Sequence, residues 1–209
     1  MPYGYTGQNL INQTVQNSGV FSISDVYELE KQGKWGGSLE LIQSQTVSGA
    51  VSSVVFSNLK ESIYNIHLLE LVNIVCSADN KAYELEFSND SGSSFESSNY
   101  RWAFEYMKSN GTFSEKKNNS GGDITFIQNV GNASNENLNG YIYMYNLGDS
   151  SRYSNATFHM TAITQDPDYI STYGGGLYMV TETINAFQIK PSSDNISSGV
   201  LNLYGIKML

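Results

Sequence analysis

The chain is poor in the residues that usually carry catalysis, metal binding or membrane insertion. It has one cysteine and two histidines in 209 residues. Cys76 alone cannot build an internal disulfide framework or a multi-cysteine zinc site, and its place in the apolar run 68–76 marks it as a small core residue. His67 lies between Ile66 and Leu68, and His159 between Phe158 and Met160. Neither has a partner at metal-ligand or nucleophile–base spacing, so both read as strand-face side chains. No Gly-x-Ser-x-Gly elbow is present, which removes the commonest hydrolase signal. Only 15% of residues are charged, and 20 acidic against 11 basic side chains give a net charge of −9. That balance repels a phosphate backbone and an anionic membrane surface, so nucleic acid is not an expected partner. No window approaches the roughly 20 apolar residues of a membrane helix, and the start has neither a basic nor an apolar block. The expectation is a protein made in a cytoplasm, with no membrane insertion and no cofactor.

What is abundant is Ser, Asn, Thr, Gln and Gly, together with 15 Tyr and 9 Phe, a mixture that favours strands joined by tight turns. Strand patterns recur at 39–44, 46–59, 64–76, 81–88, 100–107, 123–129, 140–147, 154–164, 176–183, 185–190 and 199–207. Turn residues at 78–81 and 89–93 separate neighbours, while 108–123 and 131–139 read as exposed loops. The triplet Gly174-Gly175-Gly176 reads as a sharp bend before a strand. With no helical segments between strands, the pattern predicts an all-β protein, an antiparallel β-sandwich of jelly-roll-like form over 38–209. The final strand alternates: Val200, Asn202, Tyr204 and Ile206 on one side, Leu201, Leu203 and the gap at Gly205 on the other. Such an ending is expected to lie inside a sheet.

Residues 1–37 differ. The first twenty are polar and aperiodic, as in an extended arm, and are followed by one short helix. Ser22 with Asp25, or Ser24, caps it; Val26, Leu29 and Tyr27 give it a narrow apolar stripe, and Gly33 ends it. Two turns are too short to stand alone, so Phe21, Leu29 and Trp35 are expected to anchor it on something else.

Candidate chemistry is thin. Glu84 with Glu86, or Asp166 with Asp168, could suggest a glycosidase, but residues two apart on a strand point the same way instead of facing each other across a bond. The simpler expectation places Glu84 and Glu86 on the solvent face, with Tyr83, Leu85 and Phe87 in the core. Asn89-Asp90-Ser91-Gly92 lacks the spaced acids of a calcium loop and reads as a turn. Aromatic rows say more. Tyr100, Trp102, Phe104 and Tyr106 alternate on one strand, Tyr141, Tyr143 and Tyr145 on another. Such faces stack on sugar rings or pack against another subunit, and parity alone does not say which row is buried. Trp102, Tyr106 and Tyr143 are the resulting candidates for glycan or subunit contact.

Two stretches carry a resemblance. Residues 17–29 (Asn-Ser-Gly-Val-Phe-Ser-Ile-Ser-Asp-Val-Tyr-Glu-Leu) with Gly33-Lys34-Trp35 resemble a short element of phage fibre and tail-associated proteins. Residues 56–206, through Val-Val-Phe-Ser-Asn-Leu at 54–59, Phe-Ser-Asn-Asp-Ser-Gly at 87–92 and Gly-Val-Leu-Asn-Leu-Tyr-Gly-Ile at 199–206, resemble virion structural proteins of tailed bacteriophages, especially marine and cyanobacterial ones. Asn202 stands where the family usually has serine, and 108–139 matches little. The resemblance implies a non-enzymatic virion component assembled in a host bacterial cytoplasm. It would be a tail-fibre or tail-associated adhesin, with a capsid decoration protein or a free carbohydrate-binding module as alternatives. It further implies attachment to other virion proteins through Phe21, Tyr27, Leu29 and Trp35, a homo-oligomer with a trimer favoured, and a host surface glycan as a further partner.

Overall fold

The computed structural model describes residues 39–206 together with Ile23, Ser24, Tyr27 and Glu28. Those four residues are helical, inside the expected short helix, and Tyr27 is exposed. Phe21, Leu29 and Trp35 lie outside the described residues. By internal contacts the chain divides into Met1–Glu40 and Leu41–Leu209.

Twelve strands follow one another among the described residues: β1 (Leu39–Val47), β2 (Val54–Ser57), β3 (Ile66–Cys76), β4 (Lys81–Ser88), β5 (Tyr100–Lys108), β6 (Phe113–Gly121), β7 (Ile124–Val130), β8 (Leu138–Tyr145), β9 (Ser154–Ile163), β10 (Tyr169–Tyr178), β11 (Ala186–Pro191) and β12 (Ile196–Ile206). They form an eight-stranded sheet, β1-β12-β3-β8-β9-β10-β5-β6, and a four-stranded sheet, β2-β11-β4-β7. β1 thus neighbours β12, β2 neighbours β11, β3 neighbours β8 and β4 neighbours β7. A long hairpin rolled so that its successive pairs fall in alternate sheets gives this order, which is a jelly roll. Two hairpins are added to it. β5–β6 leaves between β4 and β7, β9–β10 leaves between β8 and β11, and both join the larger sheet. The strand pairs β2–β11, β3–β12, β3–β8, β4–β7, β4–β11, β5–β6, β5–β10, β8–β9 and β9–β10 are all antiparallel.

Period-2 alternation fills the space between the sheets. Tyr83, Leu85 and Phe87 of β4, Tyr100, Trp102 and Phe104 of β5, and Ala156, Phe158 and Met160 of β9 point inward and are buried. Cys76 is buried among them. The last strand behaves as its sequence predicts: Leu201, Leu203 and Gly205 are buried, while Val200, Asn202, Tyr204 and Ile206 are half-buried on the other side. The gap at Gly205 is filled by the ring of Tyr64, which any Cβ there would overlap.

Several sequence expectations change, among them the strand placed at 176–183, of which only 176–178 are strand, the end of β10. Residues 113–121 are not a loop but the edge strand β6; its run Ser-Glu-Lys-Lys-Asn-Asn lacks apolar alternation because most of the strand is exposed on both faces. Charge on such an edge also discourages pairing with another chain. The glycine triplet is not a bend but the middle of β10. Gly174 and Gly176 face inward, where a Cβ on Gly176 would come within 2.7 Å of Ile124 Cγ2 and one on Gly174 would overlap Phe104; the missing side chains admit the aromatic row of β5. The segment 46–59 is broken, with β2 holding only Val54–Ser57. The free edge of β2 is partly satisfied by side chains of β1: Gln43 Nε2 donates to the Ser57 carbonyl and Gln45 Nε2 to that of Val55, both at 2.6 Å.

Candidate functional site

The two aromatic rows fall on opposite faces of the larger sheet. The β5 row is core: Trp102 is 9% exposed and stacks on Phe104 at 5.5 Å, and Tyr106 is a partly buried side chain packed against the same core. Among the described residues the buried indole Nε1 of Trp102 has no hydrogen-bond partner. Trp102 therefore belongs to the core and is not an open aromatic platform. Of the three candidates for glycan or subunit contact, Tyr143 alone lies on the outer face, with Tyr141 and Tyr145 beside it on β8.

Strand register assembles the outer face from distant segments. One cross-strand row runs Glu105, Tyr173, His159, Tyr141, Glu70 and Asn202, from β5 to β12. The next runs Lys117, Ala103, Gly175, Thr157, Tyr143 and Leu68. Tyr141 and Tyr173 remain 42% and 41% exposed, so both rings are open to a ligand. Tyr141 meets Tyr143 at 5.6 Å and His159 at 6.0 Å, both edge to face, and Tyr143 stacks with Tyr145 at 6.5 Å. Polar contacts fix the surrounding groups. Tyr173 donates its hydroxyl to the Glu105 carboxylate, a bond that pushes the phenol pKa up. His159 Nε2 lies 3.0 Å from Ser171 Oγ, and Asn202 Nδ2 donates to Glu70 Oε2 at 3.0 Å. Tyr204 is pushed up by burial and by Glu70.

Beside the tyrosines the face dips. Ala103 and Gly175, paired across β5 and β10, leave a floor with little side chain. Arg101, Lys117, Tyr153, Asn155 and Leu177 stand around it. Sequence alone suggested Tyr141 and Tyr145 as companions of Tyr143; the remainder of this surface comes from segments that register alone brings together.

Other titratable groups are absorbed by structure. Glu84 and Glu86 leave the core face as expected, yet Glu86 is only 9% exposed. Lys190 Nζ sits 3.4 Å from Glu84 and 2.8 Å from Glu86, and Gln188 Nε2 donates to Glu86 at 2.6 Å. Burial pushes the Glu84 and Asp123 carboxyls up. Burial opposes the Lys190 ammonium, but its bonds to Glu86 and Glu84 outweigh that and raise it. The two glutamates share one ammonium on one strand instead of flanking a cleft. His67 is fully buried; its Nε2–H donates to the Leu59 carbonyl at 2.8 Å, and burial lowers its pKa. Asp90 closes its turn by accepting from Ser94 Oγ and N and from Ser88 Oγ at 2.7, 2.9 and 2.8 Å, which lowers it to about 2. Asp168 accepts from Asn110 Nδ2 at 2.6 Å in a neighbouring turn. Among the described residues no group of three or more His, Cys, Asp or Glu is placed to hold a metal ion.

Compared with models of known protein families and with curated proteins, the chain matches none.

Proposed function

We propose that the chain is a non-enzymatic structural component of a tailed-phage virion, a tail-fibre or tail-associated adhesin that meets a host surface glycan through the outer face of its larger sheet. The observation that carries this reading is the outward cluster of Tyr141, Tyr143, Tyr173 and His159 beside a floor of Ala103 and Gly175. Open tyrosine rings next to short side chains, rimmed by amides and carboxylates, suit the alternating apolar faces and hydroxyls of a sugar chain. Jelly rolls occur among capsid proteins and lectins, an analogy of fold that agrees with the reading without carrying it. In this account residues 1–37 attach the protein to other virion proteins through Phe21, Tyr27, Leu29 and Trp35, and the β domain works as a homo-oligomer, a trimer by the phage resemblance.

Deleting residues 1–37 should then remove the protein from assembled particles while the remaining chain stays soluble and folded. Particle imaging with a label on the protein reads the outcome. Label at the tail fits an adhesin, label following capsid symmetry replaces it with a decoration protein, and normal copy number of the truncated form contradicts the attachment role.

A further inference from the structure

The depression beside the tyrosines differs in charge from the rest of the chain. The sequence has 20 acidic and 11 basic residues, so a surface site would ordinarily include carboxylates. Among the described residues this one is lined by Arg101 and Lys117 and by no Asp or Glu. Among the described residues the Arg101 guanidinium has no ion pair and no hydrogen bond. A planar, unpaired guanidinium offers two parallel N–H groups that match a carboxylate. Lys117 lies across the β5–β6 pairing from Ala103 and, among the described residues, is bonded only to Glu115, in a pair whose side chains are 71% and 64% exposed. An exposed pair of that kind yields readily to another anion. Tyr153 and Leu177 add apolar surface, and Asn155 adds an amide.

We infer that this depression binds a carboxylate-bearing sugar, a uronic-acid unit of an acidic polysaccharide. The carboxylate pairs with Arg101, with Lys117 alongside; the ring lies over Gly175 against Tyr153 and Leu177, and Asn155 meets a hydroxyl. β10 and β8 are separated by one strand, so Tyr143 is about 10 Å from Gly175 along its row, within reach of the next units of the same chain. The inference rests on the adhesin reading of this face and adds the charge of the ligand.

Calorimetric titration of the full chain with oligogalacturonate and oligomannuronate, each beside its neutral methyl ester, tests it. At least one free acid should bind about tenfold or more tightly than its ester, and rising salt should weaken it. Arg101→Gln should erase that preference at an unchanged melting temperature, whereas Lys108→Gln, outside the depression, should keep it. Equal binding of acid and ester, an unaffected Arg101→Gln protein, or no binding of either acid overturns the inference. Binding of the neutral esters that depends on Tyr141 and Tyr173, or of any other neutral glycan through those rings, would in those cases leave the adhesin reading standing.

Discussion

Phe187→Ala should cost the jelly roll about 3–5 kcal/mol of stability, the range for truncating a fully buried phenylalanine. Phe187 sits in β11 with no exposed surface, paired in register with Phe56 of β2 on one side and Phe87 of β4 on the other. Its ring stacks on that of Phe56 with centroids 5.1 Å apart and planes 20° from parallel. β2 has four residues and, among the described residues, β11 is its only neighbour in the sheet, so the cavity would loosen a strand with few other contacts. A domain of this size is stable by about 5–15 kcal/mol, so the loss should be plain in urea unfolding as a lower midpoint. Pairing the change with Phe56→Ala should reveal a coupling of about 0.5–1.5 kcal/mol from the stacked rings. A loss below about 1 kcal/mol would mean that Phe187 is not packed as described.

The second large effect is electrostatic and has a pH signature. Lys190→Met leaves Glu84 and Glu86, whose side chains are only 13% and 11% exposed, without their ammonium. Breaking a buried pair costs about 3–5 kcal/mol; with the Lys190 side chain 30% exposed, water screens part of that, and about 2–3 kcal/mol is expected at neutral pH. Burial already holds Glu84 and Asp123 above the ordinary carboxylate range. A raised carboxyl binds a proton more readily folded than unfolded. Its contribution to stability is therefore complete below the ordinary carboxylate value and is lost as pH rises through the raised folded value. Removing the ammonium raises these groups further, so the deficit of Lys190→Met should shrink as pH falls from 7 toward 5. Asp90, Asp149 and Asp194 are lowered by their hydrogen bonds, and their contributions run the other way, lost as pH falls below the ordinary range. They are common to both proteins, so the difference between variant and parent isolates the Lys190 cluster. A deficit unchanged at pH 5 would contradict the assignment.

The physics of the chain explains which parts were legible in its sequence. The Leu201-Leu203-Gly205 row of β12 and the Tyr83-Leu85-Phe87 row of β4 were readable because every second residue of each strand turns fully into the core, although the other face of β12 is half-buried and that of β4 is largely covered. β6 was hidden for the opposite reason: with most of its length open on both faces, its sequence looks like a loop. The glycines of β10 were misread because a close approach to Phe104 and Ile124 from neighbouring segments has no local trace. The face of each aromatic row was undecided, since inward and outward rows have the same period and differ only in what the opposite sheet covers. The depression was illegible because Arg101, Lys117, Tyr153 and Gly175 lie on β5, on β6, just before β9 and on β10, and meet only when the two added hairpins extend the sheet.

The most direct test of the outer tyrosine face as the working surface is a glycan-array measurement on the full chain and on a Tyr141→Ser/Tyr173→Ser double variant. Both side chains are outward and open, so the variant should melt within a few degrees of the parent. The account predicts that the parent binds one class of bacterial surface glycan and that the double variant binds it at least about tenfold more weakly. Undiminished binding by the double variant, or no glycan bound by the parent, would contradict it.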